Sequence, residues 1–162
     1  MPHARPTERV IQAGEPIVLD FGCVVEGYCS DMTRSICLGQ PADETYLAVW
    51  NTVLQAVQAA EAGAKAGMTG VEVDKLARDV IYGAGYEEKH FGHGLGHSLG
   101  LVVHENPRFS FAYPHAVPSE AIMTVEPGIY LPGWGGIRLE DIVLVHNDGV
   151  EVITQSPKVA VL

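Results

Sequence analysis

The sequence predicts an α+β domain with antiparallel strands, because short strands come first, two helices follow, and strands return at the end. A regular alternation of strand and helix, which would predict a parallel sheet, does not occur. With 162 residues, 47% of them hydrophobic, the chain is long enough for one domain with a continuous core.

The first predicted element is a hairpin over residues 16–38, with Glu26-Gly27 as its two-residue turn. Counting back along both strands from this turn places Asp20 opposite Thr33. Asp31 lies two residues from Thr33 and therefore shares its face of the strand. The two aspartates become diagonal neighbours about 7–8 Å apart at the backbone. Two carboxylates are thus expected to point into one space.

Two amphipathic helices are predicted next. Apolar residues recur at helical spacing from Asp43, and this helix should end between residues 63 and 67. A second helix should run from Thr69 to about Gly83, with Thr69 and Glu72 forming a capping box. Irregular backbone is expected after Tyr86, followed by three short strands near residues 122–125, 136–145 and 150–154.

Charge and cysteine content exclude several classes of protein. Lys and Arg number 10 against 20 Asp and Glu, and the net charge of -10 argues against nucleic acid or an anionic membrane surface as a partner. The three cysteines form an odd set without a CxxC pair, which favours a reducing cytoplasm over a disulfide framework or a zinc knuckle. No apolar run approaches the roughly 20 residues of a membrane span, and the N-terminus lacks a signal-peptide core.

Further along, candidate metal ligands recur. His93, His97 and His104 lie in the glycine-rich segment GHGLGHSLGLVVHE, and Glu126 and Glu140 each end an apolar run. Taken singly, each has a simpler interpretation. A lone histidine is more often a core or surface residue, a glutamate at a strand end is usually a surface charge, and the aspartate pair could be neutralised by a base such as Arg34.

Taken together, these residues favour a metal site over the simpler interpretation of each one. Four carboxylates and one imidazole form an oxygen-rich ligand set, which suits two divalent ions of the Mn, Co, Fe or Zn group better than a structural zinc. Two such ions would also balance the four negative charges. The set comprises Asp20, Asp31, His97, Glu126 and Glu140.

Five sequence blocks, in this order, resemble the pita-bread metallopeptidases, in particular aminopeptidase P and Xaa-Pro dipeptidase. They are DFG at residues 20–22, GYCSDMTR at 27–34, GHSLGLVVHE at 96–105, VEPGIY at 125–130 and GIRLED at 136–141. The resemblance covers essentially the whole chain, and five ordered blocks are far more specific than one motif. It implies the pita-bread fold, a curved antiparallel sheet with helices on its outer face.

The resemblance also implies roles for individual residues. Two divalent ions, Mn²⁺ or else Co²⁺, Zn²⁺ or Fe²⁺, would be bound by Asp20, Asp31, His97, Glu126 and Glu140. Catalysis would involve Glu126, His104, His93 and His3. The ligands would be held in position by Arg138, Asp141 and Thr33.

Within these sets the implied roles differ. Asp20 resembles a bidentate ligand of one ion, and Asp31 and Glu140 resemble carboxylates that bridge both. Glu126 would move a proton to the leaving amine, besides binding the second ion together with His97. His104 resembles the histidine that hydrogen-bonds the tetrahedral intermediate. His93 resembles a second histidine that lines the substrate site, and His3 resembles one that assists proton movement.

The implied reaction is hydrolysis of an Xaa-Pro peptide bond by a hydroxide that bridges two metal ions. In this family the catalytic domain begins well before the strand that carries Asp20, so residues 1–162 correspond to a C-terminal catalytic domain without its N-terminal portion. The apolar surface left uncovered should favour a homodimer or pairing with the missing portion.

Three alternatives remain open. A methionine-aminopeptidase-like enzyme shares the five ligand types, although the block GYCSDMTR favours the Xaa-Pro branch. A metal-free creatinase-like protein fits less well, because all five ligand positions are filled. The third alternative is a non-catalytic peptide-binding remnant of the fold, which metal content and turnover of a Gly-Pro peptide would distinguish from an enzyme.

Overall fold

A computed structural model of the chain describes residue 3 and residues 5–162. In chain order the strands and helices are β1 (Pro16–Phe21), β2 (Val24–Val25), β3 (Tyr28–Cys29), β4 (Met32–Cys37), α1 (Thr45–Gly63), α2 (Gly70–Gly83), β5 (Gly96–Ser98), β6 (Glu105–Phe109), β7 (Ile122–Val125), β8 (Gly128–Leu131), β9 (Gly135–Arg138), β10 (Asp141–Val145) and β11 (Val150–Val152). The predicted order of strands, two helices and strands is therefore confirmed.

The N-terminal hairpin has the predicted register. Strands β1 and β4 pair antiparallel with Asp20 opposite Thr33, and β2 pairs with β3 at the tip. At the turn, Glu26 and Gly27 have φ angles of 52° and 89°. Positive φ at both central residues is the signature of a type I′ turn, whose twist matches that of the flanking strands. The turn chemistry therefore sets which side chains of β1 and β4 face each other.

Both predicted helices are present. Helix α1 begins two residues after Asp43, whose carboxylate accepts a hydrogen bond of 2.8 Å from the amide of Thr45. At the start of α2, Thr69 and Glu72 form the predicted capping box, and the amide of Thr69 donates to the Glu72 carboxylate at 2.7 Å. The two helices pack against each other and against the sheet, so their apolar faces form the core.

Most of the C-terminal strands form one five-stranded sheet in the order β11-β10-β7-β5-β6, with all neighbours antiparallel. Helix α1 contacts β7 and β11, and α2 contacts β6. Strands β8 and β9 pair with each other in a separate two-stranded ribbon. No helix in the described part of the chain is both long and apolar enough to cross a membrane.

Strand assignment from sequence was wrong in three regions. The expected strand at 136–145 is two strands, because the amide of Glu140 bonds to the carbonyl oxygen of Thr33 at 3.0 Å and the chain changes partner there. Strands β5, β6 and β8 lie where irregular backbone or a turn was expected. These segments are glycine- and proline-rich, and their pairing depends on distant neighbours that local propensity does not report.

Candidate metal centre

The five predicted metal ligands, although far apart in sequence, line a single cavity of about 190 Å³. The three predicted catalytic histidines line the same cavity, as does Arg138. The full lining comprises His3, Asp20, Asp31, His93, Gly94, Gly96, His97, His104, Arg108, Ser110, Glu126, Arg138 and Glu140. Had these side chains been scattered over different surfaces, a shared metal site would have been excluded.

The hairpin supplies the two aspartates. Asp20 lies near the end of β1, and Asp31 immediately precedes β4, so the antiparallel pairing brings them to one end of the ribbon. The side chain of Asp31 is 15% exposed, whereas that of Asp20 is 45% exposed and pairs with the guanidinium of Arg138. Asp20 therefore faces the open side of the cavity and Asp31 the closed side.

His97 comes from β5, which lies unusually close to β7. A Cβ atom at Gly96 would meet the carbonyl oxygen of Thr124 at 2.0 Å, so only glycine permits this approach. The amide of His97 then donates to the hydroxyl of Thr124 at 3.0 Å. A residue larger than glycine at position 96 would push the imidazole out of the site.

The imidazole of His97 is turned so that Nε2 faces the carboxylates. Nδ1 lies 3.1 Å from the carbonyl oxygen of Ser98, an arrangement in which Nδ1–H donates and Nε2 is left to act as a ligand. Nε2 is 3.2 Å from Glu126 Oε1 and 4.0 Å from Asp31 Oδ2. This orientation is the one that a metal-binding histidine needs.

Glu140 is the most buried of the four carboxylates in the candidate ligand set, at 2% exposure. Its Oε2 accepts a hydrogen bond of 2.6 Å from the hydroxyl of Thr33, while Oε1 has no hydrogen-bond partner within the described residues. Glu140, Asp31 and His97 each offer a ligand atom, and these atoms all lie within 4.8 Å of one another. An unpaired buried carboxylate oxygen is costly unless a cation binds it.

The pKa values of the buried carboxyl groups indicate a site suited to bind positive charge. Burial, followed by the charges of Glu126 and Asp31, raises the pKa of Glu140 to about 9. Burial, followed by the charges of Asp20 and Glu126, also raises the pKa of Asp31. Both pKa values are shifted upward because like charges converge in a partly buried space.

The pair of His97 and Glu126 behaves differently. Burial lowers the pKa of the imidazole, but its hydrogen bond with Glu126 and the charge of that carboxylate outweigh this effect, and the net shift is upward. Burial raises the pKa of Glu126, but the hydrogen bond and charge of His97 outweigh it and the net shift is downward. Glu126 is therefore ionised at neutral pH.

The residues present fit divalent cations. The donor set is four carboxylates and one imidazole, one buried carboxylate oxygen has no partner among the described residues, and two carboxyl pKa values are raised by mutual repulsion. Bound cations would remove both the repulsion and the unpaired oxygen. Oxygen-rich sites with one imidazole suit Mn²⁺-type ions, whereas structural zinc sites favour thiolates.

The predicted catalytic histidines surround this ligand set. The rings of His104 and His97 are in edge-to-face contact, with centroids 4.4 Å apart. Nδ1 of His93 lies 2.8 Å from the carbonyl oxygen of Gly94, and its buried Nε2 has no hydrogen-bond partner in residues 3 and 5–162. His3 is exposed and contributes to the cavity wall.

Arg138 and Thr33 contact the ligands directly. Arg138 pairs with Asp20, and its Nε donates to the hydroxyl of Thr33 at 3.2 Å and lies 3.9 Å from Glu126 Oε2. Thr33 in turn donates to Glu140. The two residues thus connect Asp20 and Glu140 through hydrogen bonds, with Glu126 at ion-pair distance from Arg138.

Asp141 lies on the other side of the backbone from the site. Its carboxylate pairs with Arg34 at 2.8 Å and with Lys158. Arg34 donates to the backbone carbonyl of Glu140 at 2.6 Å, so the contacts of Asp141 described here reach Glu140 through Arg34. Asp141 is thus placed to support the backbone that carries Glu140.

Two residues of the site received no role from the sequence. Arg108 is an exposed cation that lines the cavity, and its position in β6 opposite His97 depends on a pairing that was not predicted. Tyr130 accepts a hydrogen bond of 2.9 Å from Arg138, and its ring lies 5.6 Å from that of His93. Tyr130 belongs to the block VEPGIY, which was the one available signal.

Comparison with known proteins gives consistent results. The chain matches Metallopeptidase family M24 over residues 1–147. It is 42% identical over 158 residues to an uncharacterized peptidase, YqhT, of Bacillus subtilis, which covers 98% of this chain and 44% of that protein. The chain thus spans less than half the length of this curated relative.

Solved structures show the same relationship. The chain is similar to a Xaa-Pro dipeptidase from Bacillus anthracis, with a TM-score of 0.96, 45% identity and coverage of 100% of this chain and 45% of that one. It is also similar to an X-Pro aminopeptidase from Thermotoga maritima, with a TM-score of 0.93, 43% identity and coverage of 100% and 45%. A prolidase from Pyrococcus furiosus gives a TM-score of 0.93, 38% identity and coverage of 98% and 46%. These similarities confirm the predicted fold class.

Proposed function

Because the chain belongs to metallopeptidase family M24, we propose that residues 1–162 are the catalytic portion of a metal-dependent peptidase that cleaves Xaa-Pro bonds. The observation that carries the proposal is the convergence of four carboxylates and one imidazole on one cavity. The buried oxygen of Glu140 that has no hydrogen-bond partner among the described residues also supports the proposal, because such an oxygen is costly unless a cation binds it. The proline preference is supported by the names of the similar solved proteins, a Xaa-Pro dipeptidase and an X-Pro aminopeptidase.

Two divalent ions, with Mn²⁺ as the first to test, would be held by Asp20, Asp31, His97, Glu126 and Glu140. When bound, such ions supply a water of lowered pKa and polarise the carbonyl group of the peptide. Thr33 and Arg138 would keep the carboxylates in position through the hydrogen bonds that they already make.

The residues of the chain divide the remaining work. Ionised Glu126 is suited to accept a proton from the attacking water at a carboxylate oxygen and to deliver it to the leaving proline nitrogen. His104 lines the cavity and can hydrogen-bond the substrate carbonyl as negative charge develops on its oxygen, while Nε2 of His93 can accept a hydrogen bond from an N–H of the peptide. Burial lowers the pKa of both imidazoles, so they are neutral at pH 7; His104 can donate one N–H, whereas the N–H of His93 is directed at the carbonyl oxygen of Gly94.

Peptide length is the next question, and Arg108 bears on it. This exposed cation lines the same cavity as the predicted catalytic residues and is suited to bind the free carboxylate of a dipeptide substrate. We therefore propose a preference for dipeptides over longer peptides. Substitution Arg108→Met should weaken hydrolysis of Gly-Pro more than that of Gly-Pro-Ala, and equal losses would contradict the preference.

The central test combines metal content with turnover. Purified chain should bind about two Mn²⁺ ions and hydrolyse Gly-Pro or Gly-Pro-Ala, while Gly-Ala and Met-Ala serve as control peptides. Faster hydrolysis of Met-Ala would favour the methionine-aminopeptidase-like alternative. Metal binding without turnover would favour a non-catalytic peptide-binding protein, which stays a competing candidate because the chain spans 44% of its curated relative.

A further inference from the structure

Helix α2 carries a buried ion pair that takes no direct part in the proposed chemistry. Asp74 and Arg78, one turn apart, are 1% and 9% exposed. The guanidinium binds the carboxylate twice, with Nε to Oδ2 at 2.6 Å and Nη2 to Oδ1 at 2.9 Å. Stability alone does not explain such a pair, because apolar residues of similar volume are often equally stable at buried positions.

The pair binds the backbone on both sides of His93. Arg78 Nη1 donates to the carbonyl oxygen of Phe91 at 2.7 Å, and Nη2 donates to that of His93 at 2.9 Å. Asp74 Oδ1 accepts from the amide of Leu95 at 3.0 Å. Three alternate residues of one irregular segment are thus tied to the same helix turn.

The side chain of His93 is fixed by the same group. The guanidinium of Arg78 lies 4.2 Å from the ring centroid of Phe91, and that ring meets the imidazole of His93 edge-to-face at 5.0 Å. With Nδ1 directed at the carbonyl oxygen of Gly94, the buried Nε2 is the nitrogen left for a ligand.

We propose that Asp74 and Arg78 are positioning residues that hold His93 in the orientation needed to hydrogen-bond the substrate. This inference rests on the proposed peptidase function. Arginine suits the task because its planar fork serves the carboxylate and two carbonyl groups at once, which a lysine ammonium cannot do with the same geometry. Neither residue is among those that line the cavity, so we expect their effect to pass through the segment that carries His93.

The test removes the pair without leaving a buried charge. In the double variant Asp74→Leu, Arg78→Met, the fold and metal content should be retained. kcat/KM for Gly-Pro should fall by about tenfold to hundredfold, since small misplacements of a catalytic group have effects of this size. The matched control is Lys75→Met, Asp79→Leu, which removes an exposed pair of the same spacing on the same helix and should change nothing.

Coupling to His93 separates positioning from a structural role. In a His93→Ala background the double variant should cause no further loss of kcat/KM. A full additional loss there would overturn the proposal, and so would unchanged kcat/KM in the folded double variant. Loss of metal would place the effect at Glu126, whose amide donates to the carbonyl oxygen of Leu95 at 2.7 Å, and would also overturn the assignment to His93.

Two further measurements test the positioning role. The first is the activity of Arg78→Lys, and the second is the mobility of the His93 ring, which can be measured without turnover. Arg78→Lys keeps a charge beside Asp74 but loses the fork, and full activity in this variant would contradict the proposal. NMR relaxation of the His93 imidazole should show a lower order parameter in the double variant than in the Lys75, Asp79 control. If the unaltered chain has no turnover, the proposed function fails, while an unchanged order parameter would overturn the positioning role alone.

Discussion

The proposed function places two demands on Glu126 that are normally in conflict: the carboxylate would bind a cation and remain basic enough to accept a proton. Its hydrogen bond with the hydroxyl of Thr124, at 3.3 Å, and its pairing with His97 fix one carboxylate oxygen. The other oxygen lies 3.9 Å from Arg138. Each oxygen therefore has a distinct environment, which is a requirement for distinct roles.

At this scale we predict that Glu126→Gln leaves folding intact but lowers kcat for Gly-Pro by about 10²-fold or more, because an amide cannot transfer the proton. Turnover and circular dichroism should be measured on the same metal-loaded sample. Glu151→Gln, at an exposed position of β11, is the control and should retain full activity. Unchanged activity of the position-126 variant would refute the assigned role.

The C-terminal segment is hydrogen-bonded to the end of β4 in the N-terminal hairpin. Leu162 donates to the carbonyl oxygen of Cys37 at 2.9 Å, and the carbonyl oxygen of Ser156 accepts from Arg34 at 2.7 Å. Lys158 pairs with the fully buried carboxylate of Asp141. Through Arg34, this segment supports the backbone of Glu140 from behind the proposed metal site.

We predict that Lys158→Met lowers the free energy of unfolding by roughly 3 kcal/mol, since a buried carboxylate loses one of its two cationic partners. Urea denaturation at pH 7 measures this loss. The comparison variant is Lys89→Met, which breaks an exposed ion pair with Glu87 and should cost less than about 1 kcal/mol. Equal effects of the two variants would show that Asp141 is adequately compensated by Arg34 alone.

For the whole molecule, acidic groups dominate the pH response. Besides Glu140, Glu61 on α1 has a raised pKa of about 7, because it is partly buried and lies beside the carboxylate of Asp141. Its Oε1 has no hydrogen-bond partner in the described part of the chain. These carboxyls ionise at lower pH in an unfolded chain than in the folded one, so protonation stabilises the metal-free fold.

We predict that the free energy of unfolding of the chelator-treated chain decreases as pH rises from about 4.5 to about 9, the interval between the ordinary and the folded pKa of Glu140. Within this interval Glu140 is more protonated in the folded chain than in the unfolded chain, so the stability that this carboxyl contributes is lost on deprotonation. Urea denaturation at several pH values measures the trend.

Saturating Mn²⁺ should reverse this trend, because coordination requires ionised carboxylates and metal binding releases protons. Glu140→Gln should flatten the pH dependence of the metal-free chain. A metal-free chain whose stability increases between pH 6 and pH 9 would contradict the raised pKa values, independently of any enzymatic activity.

The molecule also exposes apolar residues near the site. Phe21 on β1 is 55% exposed, Val24 in β2 is 65% exposed, and Leu101 in the loop after β5 is 69% exposed. The expectation of a homodimer, or of pairing with an N-terminal portion, stays a prediction, and this surface is where such a contact would have to be sought.

Local sequence determined the features that depend on neighbours in the chain. The Glu26-Gly27 turn set the register that places Asp20 opposite Thr33, and the capping box fixed the start of α2, because backbone dihedral angles and helix caps are decided within a few residues. The identity of the candidate ligands followed from residue types and from the ordered blocks.

Tertiary structure alone decided how distant segments meet. The contact of Arg138 with Asp20 joins residues 118 positions apart, and that of Arg34 with the Glu140 carbonyl joins residues 106 positions apart. The binding of the His93 segment by Arg78 was equally invisible in the sequence. Such contacts arise from the packing of whole strands and helices, and neither periodicity nor turn chemistry encodes which surfaces will be brought together.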